Sequence, residues 1–122
     1  FEAAETFAAS RYLADRTTKD DIILKDHNYL SADAWIKLFF MRDYSYPFSR
    51  GFFKRYEDNP DREQCTLLMI SVPNTPQGEK CYDETGTSLV MVNPAFDTAQ
   101  FEKSDSFSRI YASELVDIYK RK

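Results

Sequence analysis

A chain of 122 residues with 43% hydrophobic and 30% charged residues has the length of one domain and is too apolar for general disorder. Its net charge of −4 gives no electrostatic reason to bind a polyanion, so no nucleic-acid partner is expected. The longest clean apolar runs, residues 67–70 and 89–92, fall far short of the roughly 18 residues that cross a bilayer, and no membrane span is expected.

The chain opens on Phe1 rather than Met, which fits removal of an N-terminal segment, either by processing of a signal peptide or by a chosen starting point for the chain, and the sequence fits both equally. Residues 1–15 contain neither Gly nor Pro and set Ala4, Phe7, Ala8 and Tyr12 at helical spacing, which predicts a helix with that apolar face. After a break at residues 16–19, Asp20 or Asp21 is placed to cap a short element carrying Ile22, Ile23 and Leu24. Three consecutive apolar residues fit a helical turn or a strand equally. Residues 25–28 read as a polar turn. Asp20, Asp21, Asp26 and His27 gather oxygen and nitrogen ligands, but their spacing matches no calcium loop, and a single histidine excludes a His-rich metal site. They read as a solvated turn, and no metal is expected.

Residues 35–57 hold nine of the chain's nineteen aromatic residues, so the architecture is expected to pass through them. Ser31 is a good cap for a helix over residues 32–42, with Asp33 in its first turn. Trp35, Ile36, Leu38, Phe39, Phe40 and Met41 leave only Asp33 and Lys37 as a polar strip, the pattern of a central helix buried on several sides. Pro47 pushes Tyr46 into an extended conformation. Phe48, Ser49 and Phe53 then have the spacing of a hydrophobic staple, which predicts a short helix over residues 50–57, stopped by Asn59-Pro60.

Residues 64–72 read as a central strand, apolar on both faces. Residues 73–78 read as a loop, 80–82 as a brief strand, 83–86 as a turn and 87–92 as a strand ended by Asn93-Pro94. Asp97 and Gln100 have the spacing of a capping box. Phe101, Phe107, Ile110, Tyr111, Leu115, Ile118 and Tyr119 continue as a helical stripe, with a break near residues 104–106. Lys120, Arg121 and Lys122 fall where a helix end favours cations. The expected fold is a single α+β domain over residues 1–122: helices from the first half and the C-terminus packed on a small, mainly antiparallel sheet.

Two cysteines, Cys65 and Cys81, predict one disulfide in an oxidising compartment, hence a secreted or periplasmic location. Sixteen residues apart, they form neither a redox motif nor a zinc pair. The three glycines, Gly51, Gly78 and Gly86, are isolated, which excludes dinucleotide and phosphate loops. The segment RGFFKRY at residues 50–56 has the aromatic and basic composition of an RNA-stacking strand but lacks the small residue that strand needs. The carboxylate pairs Asp83/Glu84 and Glu57/Asp58 fall in turn-like segments and define no cleft. No catalytic residue is assigned and no cofactor is expected.

What is left is recognition. Tyr44, Tyr46, Arg50 and Arg55, with Tyr56 and Tyr82 beside loops, have the composition of a protein interface, and they are the expected partner-binding residues. The function expected is a noncatalytic extracytoplasmic protein-interaction module: an inhibitor, an immunity-type protein or a component of an envelope or secretion assembly. The alternative is a small enzyme or ligand carrier with an aromatic-lined pocket.

Overall fold

The structure, a computed structural model, describes residues 2–17, 21–25, 48–49, 60–95 and 98–122. In chain order its elements are α1 (Glu2–Arg16), β1 (Ile22–Lys25), β2 (Phe48–Ser49), α2 (Pro60–Ser71), α3 (Pro76–Thr85), β3 (Thr87–Val92), α4 (Ala99–Glu102), β4 (Phe107–Ala112) and β5 (Asp117–Arg121). The strands form one sheet in the order β2-β1-β3-β5-β4. β1 runs parallel to β2 and β3, while β3, β5 and β4 form an antiparallel set. The α+β class therefore stands as expected. The central helix expected over residues 32–42 and the short helix over 50–57 lie outside the described residues.

Side-chain alternation divides the sheet into two packed faces. On one face, Ile23, Leu89, Met91, Val116 and Ile118 pack with Ala9 and Leu13 of α1. On the other, Leu24, Val90, Val92, Phe107 and Tyr119 meet Met69 and Ile70 of α2, Cys81 and Tyr82 of α3, and Phe101 of α4. Consecutive residues Leu89, Val90, Met91 and Val92 are all buried, as a strand covered on both sides requires. Lys25, read as part of a turn, is instead the fully buried last residue of β1, held in register between Ser49 and Met91.

α1 forms where predicted but is rotated from the expected stripe. Its buried face is Thr6, Ala9, Ser10 and Leu13, spaced i, i+3, i+4 and i+7, whereas Ala4 and Ala8 are exposed. The Ser10 hydroxyl donates to the Thr6 carbonyl at 2.8 Å, so a hydroxyl is buried here without loss of a hydrogen bond.

Residues 64–71 form a helix, not a strand, and Val72 begins the link that follows it. Pro60 occupies the first helical turn, where its missing N–H costs nothing, so Asn59-Pro60 marks a beginning rather than an end. Met69 and Ile70 of α2 reach the core on the sheet, and Cys65 and Leu68 pack against the same core partly buried, which spreads apolar residues around the helix. Residues 80–82 are also helical: Thr75 caps α3 by accepting from the Gly78 N–H at 3.1 Å, and Pro76 follows the cap. Gly86, at φ 70°, ends the helix with its N–H on the Tyr82 carbonyl at 3.0 Å, a left-handed position that favours glycine. Phe48 and Ser49, read as a helix start, pair instead with Leu24 and Lys25.

The C-terminal helix is likewise overturned: β4 and β5 are a hairpin, closed by Ser113 N–H to the Val116 carbonyl at 2.8 Å and by Val116 N–H to the Ser113 hydroxyl at 3.0 Å. Apolar residues at 107, 110, 111, 115 and 118 mimic a helical stripe. The true period is two, with Val116 and Ile118 on one face and Asp117 and Tyr119 on the other.

The expected disulfide joins Cys65 of α2 to Cys81 of α3, with Cα atoms 5.4 Å apart, inside the usual range. The four residues 72–75 that link the two helices leave them little room. A Cβ on Gly78 would stand 2.2 Å from the Val72 carbonyl oxygen, so the first turn of α3 closes against the chain leaving α2 only because that position has no side chain. Gly78→Ala is expected to cost about 1–3 kcal/mol by overpacking, read as a lower urea midpoint, while exposed Gln77→Ala stays within about 0.5 kcal/mol. Replacing Cys65 and Cys81 together by Ala is expected to cost roughly 3 kcal/mol, measured in the same unfolding experiment.

Candidate functional site

The alternation of β5 turns Asp117 and Tyr119 toward the α2–α4 side. In β4, Arg109 lies opposite Tyr119. α4 supplies the third wall with Phe101 and Glu102. Thr98 precedes α4 and makes no side-chain cap bond; Asp97, expected to open a capping box with Gln100, lies outside the described residues. The Gln100 side chain donates to the Ile70 carbonyl at 2.8 Å, and Asn74 donates to the Gln100 carbonyl at 2.7 Å. These bonds tie the short helix to the C-terminal end of α2.

A pocket of about 310 Å³ opens between α4 and the β4–β5 hairpin, lined among the described residues by Phe101, Glu102, Phe107, Arg109 and Tyr119. Its rings belong to a continuous run. Tyr82 meets Phe107 edge-on at 5.2 Å, Phe107 meets Phe101 edge-on at 5.1 Å, and Phe101 stacks on Tyr119 at 5.3 Å. Such offsets satisfy the ring quadrupoles and hold the wall in place.

Arg109 is half exposed and stands 3.7 Å from Glu102 Oε1 and 3.6 Å from Asp117 Oδ2. Charge-assisted hydrogen bonds are shorter, about 2.7–2.9 Å, so both are loose ion pairs. The Asp117 side chain is only 3% exposed. Burial pushes its carboxyl above the ordinary value of 3.8, against the opposing pull of Arg109. Tyr119 donates to Asp117 Oδ2 over a long 3.4 Å. Its phenol is pushed up to about 12 by burial, reinforced by the charges of Asp117 and Glu102. At neutral pH it is an uncharged hydroxyl. Glu102 and Arg109 line the pocket, and buried Asp117 stands beside Arg109, so among the described residues two carboxylates face one guanidinium.

On the opposite face a second group forms where α1 meets β4. Tyr12 and Tyr111 have ring centroids 4.9 Å apart, the Arg16 guanidinium lies 4.3 Å from the Tyr12 centroid, and the Tyr12 hydroxyl donates to the Ile110 carbonyl at 3.0 Å. Nearby, Glu5 accepts from the Ser113 hydroxyl at 2.5 Å and from the Leu115 N–H at 3.1 Å, fastening α1 to the hairpin turn. Those bonds hold the Glu5 carboxyl below its ordinary 4.5.

The expected partner-binding residues Tyr44, Tyr46, Arg50 and Arg55, together with Tyr56 and His27, lie outside the described residues. Tyr82 is no loop anchor: it is 1% exposed on α3, donates to the Met69 carbonyl at 2.9 Å and has its phenol pushed up by burial. Asp83, read as a turn residue, is an exposed helical carboxylate paired with Arg121 at 2.7 Å. Asp21 accepts from the Ser88 hydroxyl at 2.9 Å beside β3. Among the described residues, no group of three His, Cys, Asp or Glu side chains is placed to hold a metal, and no helix is long and apolar enough to cross a membrane. The disulfide is compatible with an extracellular, oxidising location. No protein family, curated protein or solved structure matches the chain.

Sequence reading missed the pocket because it assigned residues 101–119 to a helix. The alternation Val116, Asp117, Ile118, Tyr119 was the available signal. Two carboxylates now give opposite pH dependences. Asp117 has a raised folded pKa, so its contribution is full below 3.8 and lost as the pH rises through the folded value. Asp117→Asn is therefore expected to stabilise the protein at neutral pH, with the gain shrinking in acid. Glu5 has a depressed folded pKa, so its contribution is present above 4.5 and lost as the pH falls through the folded value. Glu5→Gln is expected to destabilise at neutral pH and to converge on the wild type in acid; urea midpoints taken from about pH 3 to pH 7 check both signs.

Proposed function

We propose that this chain is a noncatalytic protein-interaction module of a secreted or periplasmic protein. The Cys65–Cys81 bond supports the compartment, because disulfides persist where the surroundings are oxidising. The binding role rests on the Tyr12–Tyr111–Arg16 group. Tyr12 and Tyr111 are half-buried, Arg16 is exposed, and the two rings already pack against each other at a tilt of 49°, with the Tyr12 hydroxyl bonded to the Ile110 carbonyl. Tyr and Arg are the residues that anchor protein interfaces, and a pre-packed pair loses little further entropy when a partner covers it. Tyr44, Tyr46, Arg50 and Arg55 complete the proposal on their composition alone. Within this reading, an inhibitor, an immunity-type protein and an envelope or secretion-assembly component share the same requirement: a rigid frame that presents aromatic and cationic side chains.

The ligand-carrier alternative has the pocket beside α4 in its favour, at the low end of the roughly 300–1,000 Å³ typical of ligand sites. That pocket is open and carries charge on its walls, unlike the closed apolar cavity a carrier of apolar ligands would need.

Affinity capture from the native source, with the folded chain as bait, tests the module. A captured partner is expected to lose about 30-fold or more in affinity on Arg16→Ala or on Tyr46→Ala with Arg50→Ala, the loss typical of a hot spot. A partner bound equally by all forms would refute the placement of the interface. Failure to capture any specific partner would refute the module.

A further inference from the structure

We infer that the pocket between α4 and the β4–β5 hairpin binds an organic cation of the guanidinium or alkylammonium class, seated against Phe101, Phe107 and Tyr119 and neutralised by Glu102 and Asp117. Three observations converge on it. The wall is aromatic, and ring faces attract cations, most strongly where water is partly excluded. Its charge is unbalanced among the described residues: half-exposed Glu102 and buried Asp117 share Arg109, so one added positive charge brings this group to neutrality.

The third observation is the state of Asp117. Its side chain is 97% buried, yet its two partners stand at 3.6 Å and 3.4 Å, and its Oδ1 accepts no hydrogen bond from the described residues. A buried carboxylate bonded this poorly costs stability, which a fold keeps where the charge serves another purpose. Anions are disfavoured by the same arithmetic, because Arg109 already faces two carboxylates. A neutral apolar ligand would leave Asp117 without a better partner. The pocket lies on the opposite face of the sheet from Tyr12, Tyr111 and Arg16, so this site and the proposed protein interface can fail independently.

Amide and ring resonances followed by NMR during titration with N-acetyl-arginine amide give the test, with methylguanidinium, an arginine-bearing peptide and acetate as further probes at fixed ionic strength. Saturable shifts are expected at residues 101–102, 107–109 and 117–119, weakening as salt is raised. Glu102→Gln is expected to lower affinity by about fivefold, and Arg109→Gln, which removes a like charge, to raise it by about threefold. A merely structural role for Arg109 would not produce that gain. If Arg109→Gln does not fold, Glu102→Gln decides alone, since Glu102 is half exposed. Tighter binding of the peptide assigns the site to a presented arginine side chain, and equal binding of methylguanidinium assigns it to a free cation; either supports the inference. Shifts produced by acetate and abolished by Arg109→Gln would overturn it, as would no localised shift with any cation or affinities unchanged in both variants.

Discussion

β1 and β3 carry apolar side chains on both faces, and from that requirement most of the described architecture follows. Ile23, Leu89 and Met91 need cover on one side, and Leu24, Val90 and Val92 on the other. α1 meets the first need with a narrow strip of Thr6, Ala9, Ser10 and Leu13. α2, α3 and α4 meet the second with larger groups, chiefly Met69, Tyr82 and Phe101. Fully burying one such side chain contributes about 1.5–3 kcal/mol, so no single contact holds the layers together.

The helical side depends on two close approaches that no hydrophobic surface could enforce. One is covalent, the bond between Cys65 and Cys81. The other is the contact of Gly78 with the Val72 carbonyl, which turns α3 back immediately after α2. With the helices held, the Tyr82 hydroxyl reaches the Met69 carbonyl, and its ring reaches Phe107 of the hairpin. Arg121 then lies over the same ring at 5.3 Å while pairing with Asp83. The staple between two helices thereby fixes the position of an edge strand that it does not touch.

What could be read from the sequence depended on whether a local signal had one meaning. Residues 87–92 did: β-branched and apolar side chains bounded by Gly86 and Asn93-Pro94 are a strand in both sequence and structure. The cysteines did as well, once only one pairing was possible. Residues 64–72 did not, because a helix buried on several sides and a central strand both present unbroken apolar residues; the deciding sign was Pro60 at the helix start. The cap at Thr75 and the stop at Gly86 were also written in the chain, but Pro, Gly and Thr together read as a loop when no apolar stripe lies between them. α1 shows the converse error: counting Thr6 and Ser10 as polar hid the buried face, since a hydroxyl bonded within its own helix packs as a small side chain.

The pocket was illegible for a deeper reason. Its residues come from a short helix, from a strand that carries a register shift between Arg109 and Tyr111, and from a strand on the far side of a turn. No spacing rule links Glu102, Arg109 and Asp117; only the hairpin register and the position of α4 do. The register shift lies next to Arg109, where the local departure from regular pairing accompanies the turn of the guanidinium toward Glu102 and Asp117. An apolar residue at 117 would suit the neighbouring Val92 and Tyr119 better. The carboxylate there, buried and loosely paired, is the point at which the packing logic of the sheet gives way to a charge that the fold alone does not require.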